Sequence, residues 1–341
     1  MTMNLSSRLW QNKSSEMPSY TLQEVLTQPS VLALVLFEIC LFVIAVVGNV
    51  LVCRTIYLTR RLHFSAYYFI ASMSTADLCL TLLVLPVSTA YYVTYQMRGA
   101  WIFGKAMCHM WTLASSWFAT ASIFNLCAVT WDRYVAMTTP FRYYSRMRSS
   151  RVILMIGAAW MTSFILALMT SYGYQVSDTR ILCEMQGIKL VYAVVNFVVT
   201  FVAPSFVLIF ANAKIWTIAA RRMNRVEAYS TTTLPAKFRR KWESQDIKMF
   251  RTFLIIIGTF LVSFTPCFIV ILLDPLGVRV PGFLAYLFVV LTYINSALEP
   301  LIYGLFNKDF RKAVVASLKR RPTHARSKNV HLSSTVETRN L

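Results

Sequence analysis

The chain has 341 residues, of which 57% are hydrophobic and only 14% charged, and its formal net charge is +20. Soluble proteins have roughly 45–50% apolar and about 25% charged residues, so this composition excludes an ordinary soluble domain. The basic excess would suggest nucleic acid in a soluble protein, but it is concentrated in alternate loops between apolar stretches, and no nucleic-acid partner is expected.

Seven apolar stretches follow one another along the chain, and each is long enough to cross a bilayer as a helix. A helix needs roughly 20 residues for this crossing, and it satisfies its own backbone hydrogen bonds, which lipid cannot do. The predicted fold is therefore an all-α membrane protein with a seven-transmembrane helix bundle over residues 31–306. We number the stretches spans 1 to 7, at residues 31–57, 66–94, 106–134, 151–172, 190–220, 250–273 and 283–306.

The segments outside this bundle have a different composition. Residues 1–30 form a polar tail with two N-glycosylation sequons, at Asn4 and Asn12. Residues 307–318 are amphipathic and are expected to form a short helix on the membrane surface. Residues 319–341 are polar and basic and are predicted to be disordered. The one long loop, between spans 5 and 6, is expected to continue both helices at its ends.

The loops after spans 1, 3, 5 and 7 carry most of the arginine and lysine, whereas the alternate loops carry little. Basic loops stay on the cytoplasmic side of a membrane. Together with the sequons, this pattern predicts a multi-pass protein of the plasma membrane with an extracellular N-terminus and a cytoplasmic C-terminus. The basic side chains are expected to contact anionic lipid head groups.

Span 3 has Cys108 near one end and Asp132-Arg133-Tyr134 at the other. The 25 residues from Cys108 to Arg133 cover roughly 37 Å of helix, which is one membrane thickness. Cys183 follows span 4 and falls on the same outer side as Cys108. Because that side is oxidising, we predict a disulfide between Cys108 and Cys183.

Further motifs occur on each of the other spans. They are Gly48-Asn49-Val50, Ser74-Thr75-Ala76-Asp77-Leu78, Trp101-Ile102-Phe103-Gly104, Trp160, Pro204, Phe260, Pro266 and the segment Asn295–Tyr303. In this order the chain resembles the rhodopsin-like (class A) G-protein-coupled receptors over about residues 31–318. Within that family, Trp111 and the segments Ala121–Ala128 and Tyr293–Leu298 are similar to the biogenic-amine branch.

The resemblance implies a ligand pocket between the helices on the outer side. Amine receptors hold the ammonium of their ligand with an aspartate one turn below the position of Trp111, and this chain has Ser115 there. A hydroxyl can hydrogen-bond an amine but cannot neutralise it, so a mainly apolar or weakly polar ligand is expected. The implied lining residues are Trp111, Ser115, Ser116, Ala119, Asn196, Thr200, Phe264, Cys267, Phe268 and Tyr293.

Two other acids could take the place of the missing aspartate, Glu38 in span 1 and Asp274 at the end of span 6. Alternatively, each is an interfacial carboxylate that reaches water. Covalent retinal is not expected, because opsins carry it on a lysine at the position of Tyr293. No lysine occurs between Lys248 and Lys308.

Asp77 lies in the middle of span 2, where an acid is costly and usually functional. In the family that this chain resembles, the acid binds a sodium ion with polar neighbours, which Ser122, Asn295 and Ser296 match. Glu299 departs from the family's asparagine or aspartate. Two carboxylates in one small cavity cannot both ionise cheaply, so a cation or a shared proton is expected between them. Alternatively, the Glu299 side chain turns to backbone or water and has no regulatory role. No cofactor besides sodium is expected.

The resemblance also implies a switch at the cytoplasmic end of the bundle. Arg133 is expected to pair with Asp132, and across to Asp246 at the start of helix six, which would hold spans 3 and 6 together. Alternatively, Asp246 is a solvated surface acid. The other implied switch positions are Tyr134, Ile123, Pro204, Phe260, Pro266, Pro300 and Tyr303.

The functional hypothesis is a receptor, not an enzyme, that transmits an extracellular small-molecule signal to a heterotrimeric G protein, with arrestin and a receptor kinase as further partners. Four departures from the family motivate an alternative, a constitutively active or non-signalling receptor-fold partner. They are Ser115, Phe264 in place of tryptophan, Asn212 in place of tyrosine, and Glu299. A channel or transporter would need a continuous polar path, and none extends from Asp77 and Glu299 to both sides.

Overall fold

The structure is a computed structural model. It describes residues 20–99, 101–173, 183, 190–229, 236–278, 280–306 and 308–319. Within these ranges, the side chains of residues 61, 172–173, 222–253, 274, 306, 308–309 and 319 lie outside the description. All regular secondary structure among the described residues is helical.

Seven described helices are long and apolar enough to cross a membrane, which confirms the predicted all-α bundle. Their ends agree with the predicted spans to within four residues. Spans 1 to 7 are Pro29–Leu58, Ser65–Arg98, Gly104–Thr138, Ser149–Ser171, Leu190–Arg221, Leu254–Leu273 and Gly282–Leu305.

The helices of spans 5 and 6 continue beyond their apolar parts, as expected for the ends of the long loop. The helix of span 5 continues through Ala203–Tyr229, and the helix of span 6 is Ala236–Leu273. A short helix that the sequence analysis did not predict, Leu22–Leu26, precedes span 1, and we call it the N-terminal helix. The helix Lys308–Lys319 follows span 7 where a membrane-surface helix is predicted.

Span 1 shows how each helix divides its surface between the bundle and the lipid. Large apolar side chains on one face are about half exposed, as suits contact with acyl chains; they include Leu36, Ile39, Val43 and Val47. The opposite face is buried at helical spacing and consists of Val31, Leu34, Glu38, Leu41, Ala45, Asn49, Val52, Thr55 and Ile56. The polar side chains Glu38 and Asn49 thus lie on the inner face.

Span 3 lies at the centre of the bundle and contacts spans 2, 4 and 5, while span 7 packs against spans 6 and 1. The largest apolar cluster joins spans 3, 5, 6 and 7 and includes Leu126, Phe260 and Ile302. The helix Lys308–Lys319 packs against this cluster. There the ring of Phe310 stacks on that of Tyr67, with 6.4 Å between centroids.

Spans 2 and 5 each contain one π turn, at Leu80–Val84 and Val198–Val202. A proline follows each turn closely, Pro86 in span 2 and Pro204 in span 5. Proline has no backbone N–H and clashes with the preceding helical turn, which favours a local departure from α-helical hydrogen bonding. The π turns therefore separate the two halves of both spans.

Candidate functional site

One end of the bundle carries the predicted disulfide. Cys108 and Cys183 are bonded, with 5.6 Å between their Cα atoms, which confirms this prediction. Trp101 is buried against the two cysteines, and its indole N–H donates to the carbonyl of Gly104 at 2.7 Å. The loop after span 4 is thus fixed to the start of span 3, and we call this the disulfide end.

The structure divides the predicted ligand-pocket residues between two neighbouring clusters. Trp111 and Tyr293 pack between spans 2, 3 and 7, together with Phe118. Ala119, Phe264 and Phe268 instead belong to the core between spans 3, 5 and 6, which Phe197 and Phe201 extend. The apolar part of the lining that the resemblance implies is therefore mostly aromatic, and some of it is interhelical packing.

The hydroxyl groups of this region use their protons within their own helices. Ser115 donates to the carbonyl of Trp111 at 2.6 Å, and Thr200 donates to the carbonyl of Asn196 at 2.6 Å. Ser116 and Cys267 are partly buried, and their side chains make no hydrogen bond within the described part of the chain. Ser115 and Thr200 can therefore offer only lone pairs to a ligand.

Glu38 does not reach water, so the interfacial interpretation is wrong for this residue. Only 1% of it is exposed. Tyr286 donates its hydroxyl to Oε1 of Glu38 at 2.6 Å, and the Thr89 hydroxyl is hydrogen-bonded to Oε2. A sequence signal was present: Glu38 lies eleven residues before Asn49, about three helical turns, and so on the same face. The side chain of Asp274, the other candidate, lies outside the described residues.

The five predicted sodium-site residues come together in the centre of the bundle. Ser296 donates to Oδ1 of Asp77 at 2.8 Å, and Asn295 donates to Oε1 of Glu299 at 2.8 Å. The two carboxyl groups and Ser122 are close enough to interact. Even so, Oδ2 of Asp77 and Oε2 of Glu299 have no hydrogen bond of good geometry. Two carboxylate oxygens cannot bond each other without a proton or a cation between them.

This donor set fits a hard cation. It consists of oxygen atoms, two from carboxylates and others from hydroxyl and amide groups, which are the ligands that alkali and alkaline-earth ions prefer. Within the described part of the chain, no three acidic, histidine or cysteine side chains form a cluster of the kind that holds a transition metal. Sodium at Asp77 and Glu299 stays a prediction, and the two orphaned oxygens support it.

At the opposite end of span 3, Arg133 pairs with Asp132, with 3.0 Å between Nη2 and Oδ2. The Tyr143 hydroxyl donates to Oδ1 of Asp132 at 3.0 Å. The same hydroxyl is hydrogen-bonded to the hydroxyl of Ser65 at 2.9 Å. The guanidinium also lies over the ring of Phe64, at 5.3 Å from its centroid. The two charged groups are close enough for an ion pair, but they are not aligned as a hydrogen bond. Nη2 of Arg133 has no hydrogen bond of good geometry.

Sequence reasoning missed Tyr143. It lies in the short helix Tyr143–Arg146 between spans 3 and 4. Burial raises the pKa of the Tyr143 phenol, and its bond with Ser65 offsets this in part. The phenol therefore stays protonated, and can donate to Asp132, at neutral pH. The second predicted partner of Arg133, Asp246, has its side chain outside the described residues.

The predicted transmission residues are buried near one another between spans 3, 5 and 6. Ile123 and Phe260 belong to one apolar cluster, and the rings of Phe260 and Phe264 lie 5.2 Å apart. The thiol of Cys127 lies 3.9 Å from the carbonyl oxygen of Pro204, which joins span 3 to span 5.

The remaining predicted switch residues lie closer to the Arg133 end or inside helices. Tyr134 packs towards span 5, 6.5 Å from the ring of Phe210. Tyr303 is buried, and its hydroxyl has no hydrogen-bond partner within the described part of the chain. Pro266 and Pro300 lie within the helices of spans 6 and 7.

Comparisons with known proteins agree with this arrangement. The profile of the 7 transmembrane receptor (rhodopsin family) matches residues 48–303. The histamine H2 receptor of Cavia porcellus is 32% identical over 290 residues, which cover 81% of this chain and 76% of that receptor. Trace amine-associated receptor 7e of Mus musculus is 32% identical over 290 residues, or 80% of this chain and 78% of that receptor. The predicted resemblance is confirmed, and the chain belongs to the rhodopsin family of seven-transmembrane receptors.

Proposed function

We propose that the chain is a plasma-membrane receptor that transmits the binding of an extracellular small molecule to a heterotrimeric G protein. The disulfide end faces outwards, and the Arg133 end faces the cytoplasm. The observation that carries this proposal is span 3, a single helix with the Cys108–Cys183 bond at one end and the Asp132–Arg133 pair at the other. No chemical reaction is required, because a ligand acts by its different affinity for two arrangements of the bundle.

The contacts around Arg133 support a resting arrangement. Asp132, which is fully buried, and the ring of Phe64 both hold the guanidinium near span 3, and Tyr143 fixes the carboxylate. Release of Arg133 from these contacts would open the cytoplasmic end to a helix of the G protein. If Asp246 also holds Arg133, Asp246→Ala raises basal signalling, and an unchanged basal level would contradict that second bond.

The ligand of the predicted pocket is expected to be mainly apolar or weakly polar. The relatives are named for histamine and trace amines, which carry a cationic amine, whereas Ser115 supplies only a neutral acceptor. A hydroxyl can accept a hydrogen bond from an ammonium but does not neutralise its charge, as a carboxylate would. The chain is thus an atypical amine-like receptor, and arrestin and a receptor kinase are further partners that its family implies.

Coupling can be measured in cells that express the chain with a panel of G-protein nucleotide-exchange sensors and a ligand library. Arg133→Ala should abolish exchange at equal surface expression, because it removes the cation at the switch. Arg151→Ala is the matched control, since this arginine is exposed and its guanidinium contacts the backbone carbonyl of Arg146. Exchange that persists in Arg133→Ala, or that is absent for every sensor and ligand, contradicts the proposal.

A receptor-fold protein that is constitutively active or does not signal is the second candidate, and Asn212 favours it. Asn212 is buried and donates to the carbonyl of Leu208 in its own helix at 2.8 Å, while its Oδ1 has no partner among the described residues. The family's tyrosine hydroxyl is therefore missing at this position. High nucleotide exchange without ligand would support constitutive activity, and restored ligand response in Asn212→Tyr would support a receptor with weakened coupling.

A further inference from the structure

We propose that Glu38 forms a second ligand site, between spans 1, 2 and 7, which binds the ammonium group of a small organic cation. This site adjoins the pocket around Ser115, and it offers the ionisable acid that the Ser115 position lacks. Glu38 lies nine residues after Pro29, or roughly 13 Å along span 1. It therefore lies in the half of span 1 nearer the disulfide end.

The hydrogen bonds of Glu38 leave part of its capacity unused. An ionised carboxylate has about four acceptor positions, and two hydroxyl groups, those of Tyr286 and Thr89, contact this one. The Thr89 hydroxyl has a single proton and also lies 3.1 Å from the carbonyl of Leu85, a second acceptor for it. Glu38 thus has one secure donor and one shared donor.

No basic side chain among the described residues forms an ion pair with Glu38. The groups that act on it there are the hydroxyls of Thr89 and Tyr286, and the ion pair resolved in the described part of the chain is at Arg133. An ionised carboxylate away from water is costly unless a cation or a proton neutralises it. A ligand cation would supply what the protein does not.

The walls of the site are aromatic and contain a further unsatisfied polar group. Tyr92 and Tyr286 stack with 4.3 Å between ring centroids and 14° between planes. The hydroxyl of Ser88, which is fully buried, lies near the phenols of Tyr286 and Tyr293 but makes no hydrogen bond of good geometry. An ammonium hydrogen could occupy that free acceptor. Tyrosine faces also attract cations when water is excluded.

The N-terminal helix covers the site from the disulfide end. Val25 is fully buried against Val31 and Tyr92, and Tyr286 packs on the same cluster. The backbone N–H of Tyr20 donates to the carbonyl at the end of span 2, that of Met97, at 3.2 Å. These contacts exclude water from above Glu38, and a dry environment strengthens an ion pair.

Tyr293 forms the wall shared with the pocket around Ser115. Its ring packs in the cluster with Trp111 and Phe118, and its phenol lies near Ser88 and interacts with Glu38. A ligand with its apolar part beside Trp111 and its ammonium beyond Tyr293 would contact both regions. Because there is one carboxylate, the chemical class that fits is a monoammonium with a short apolar body.

The test uses the purified full-length chain in lipid nanodiscs, so it does not depend on G-protein coupling. The probes are methylammonium, isopentylammonium, cyclohexylammonium and 2-phenylethylammonium, each beside the alcohol of the same skeleton. Thermal unfolding is followed with a thiol-reactive dye, whose labelling of the partly buried Cys127 and Cys267 increases as the bundle opens. Bound ligand raises the unfolding temperature according to its concentration and affinity.

Ammonium probes should stabilise the protein more than their alcohols, and Glu38→Gln should weaken their binding tenfold or more. Tyr286→Phe should change the affinity only a few-fold, because it keeps the carboxylate and the ring; it also tests the site if Glu38→Gln fails to fold. Asp274→Asn is the matched control, since it removes the other candidate acid at this end. Loss of binding in Asp274→Asn but not in Glu38→Gln overturns the site, and so does equal stabilisation by amines and alcohols.

Discussion

Spans 1 and 7 approach each other closely at Gly48 and Pro300, and Gly48→Ala is expected to destabilise the bundle. An added Cβ would lie 2.8 Å from Cβ of Pro300 and 3.0 Å from its Cγ. Real Cβ atoms essentially never come within 3.0 Å of another heavy atom, and the proline ring cannot turn away as a flexible side chain could. Widening the contact from 2.8 to 3.4 Å requires the two helices to separate by about 0.6 Å.

Three terms decide the size of the effect. Overpacking of this kind costs about 1–3 kcal/mol. The shift also stretches the bond from Asn49 to the carbonyl of Ser296, now 3.0 Å, and loss of such a bond costs roughly 1 kcal/mol. Alanine gains about 1 kcal/mol over glycine as a helix former, which offsets part of this. The net expectation is a loss of about 1–3 kcal/mol, or an unfolding temperature lower by roughly 2–10 °C.

The measurement is thermal unfolding of purified wild type and variant in the same lipid. Gly157→Ala in span 4 is the matched control, because an added Cβ there has no neighbour within 4 Å. That control should melt at or above the wild-type temperature. If Gly48→Ala melts as high as Gly157→Ala, the close approach of spans 1 and 7 is not a constraint and the reasoning fails.

Three further predictions concern ionisable positions. Glu299→Asn should change the sodium and pH dependence of signalling, because a single carboxylate then remains in the central cluster; an unchanged dependence in a sodium titration refutes this. Ser115→Asp should raise the affinity for 2-phenylethylammonium at least tenfold, and the gain should persist when Glu38→Gln is added; radioligand competition that shows no gain refutes it. Hydrogen bonds from Thr21 lower the pKa of Glu24, so the ionised acid supports the N-terminal helix at neutral pH, and that support is lost as pH falls below 4.5. The Thr21 amide resonance should titrate with a midpoint below 4.5, and a midpoint at or above the ordinary value contradicts the bond.

The features that the sequence predicts best are those that need no knowledge of neighbours. Seven spans follow from the length of the apolar runs, and the Cys108–Cys183 bond follows from two cysteines on one oxidising side. The capping pair of the N-terminal helix, Thr21 and Glu24, also has a local pattern, a threonine followed three residues later by glutamate. That helix could therefore have been predicted.

The partners of the buried acids could not be predicted in the same way. The spacing to Asn49 indicates the inner face for Glu38, but Thr89 and Tyr286 lie 51 and 248 residues away in sequence. Only the packing of three helices decides that they meet. Tyr143 was missed for the same reason, since the fold of the loop after span 3 brings its hydroxyl to Asp132.

The π turn at Leu80–Val84 divides span 2 into two parts. The rotation of each part about the helix axis can be set independently of the other. One extra residue in a turn advances all later side chains by about 100° around the helix axis. Asp77 precedes the turn and faces the centre, while Thr89 follows it and faces Glu38. Deleting one residue from the turn would rotate Thr89 away from Glu38 and leave Asp77 in place. A single insertion or deletion in this turn can therefore change the contacts of Glu38 between related receptors. It would leave Asp77 in place and would alter no charge.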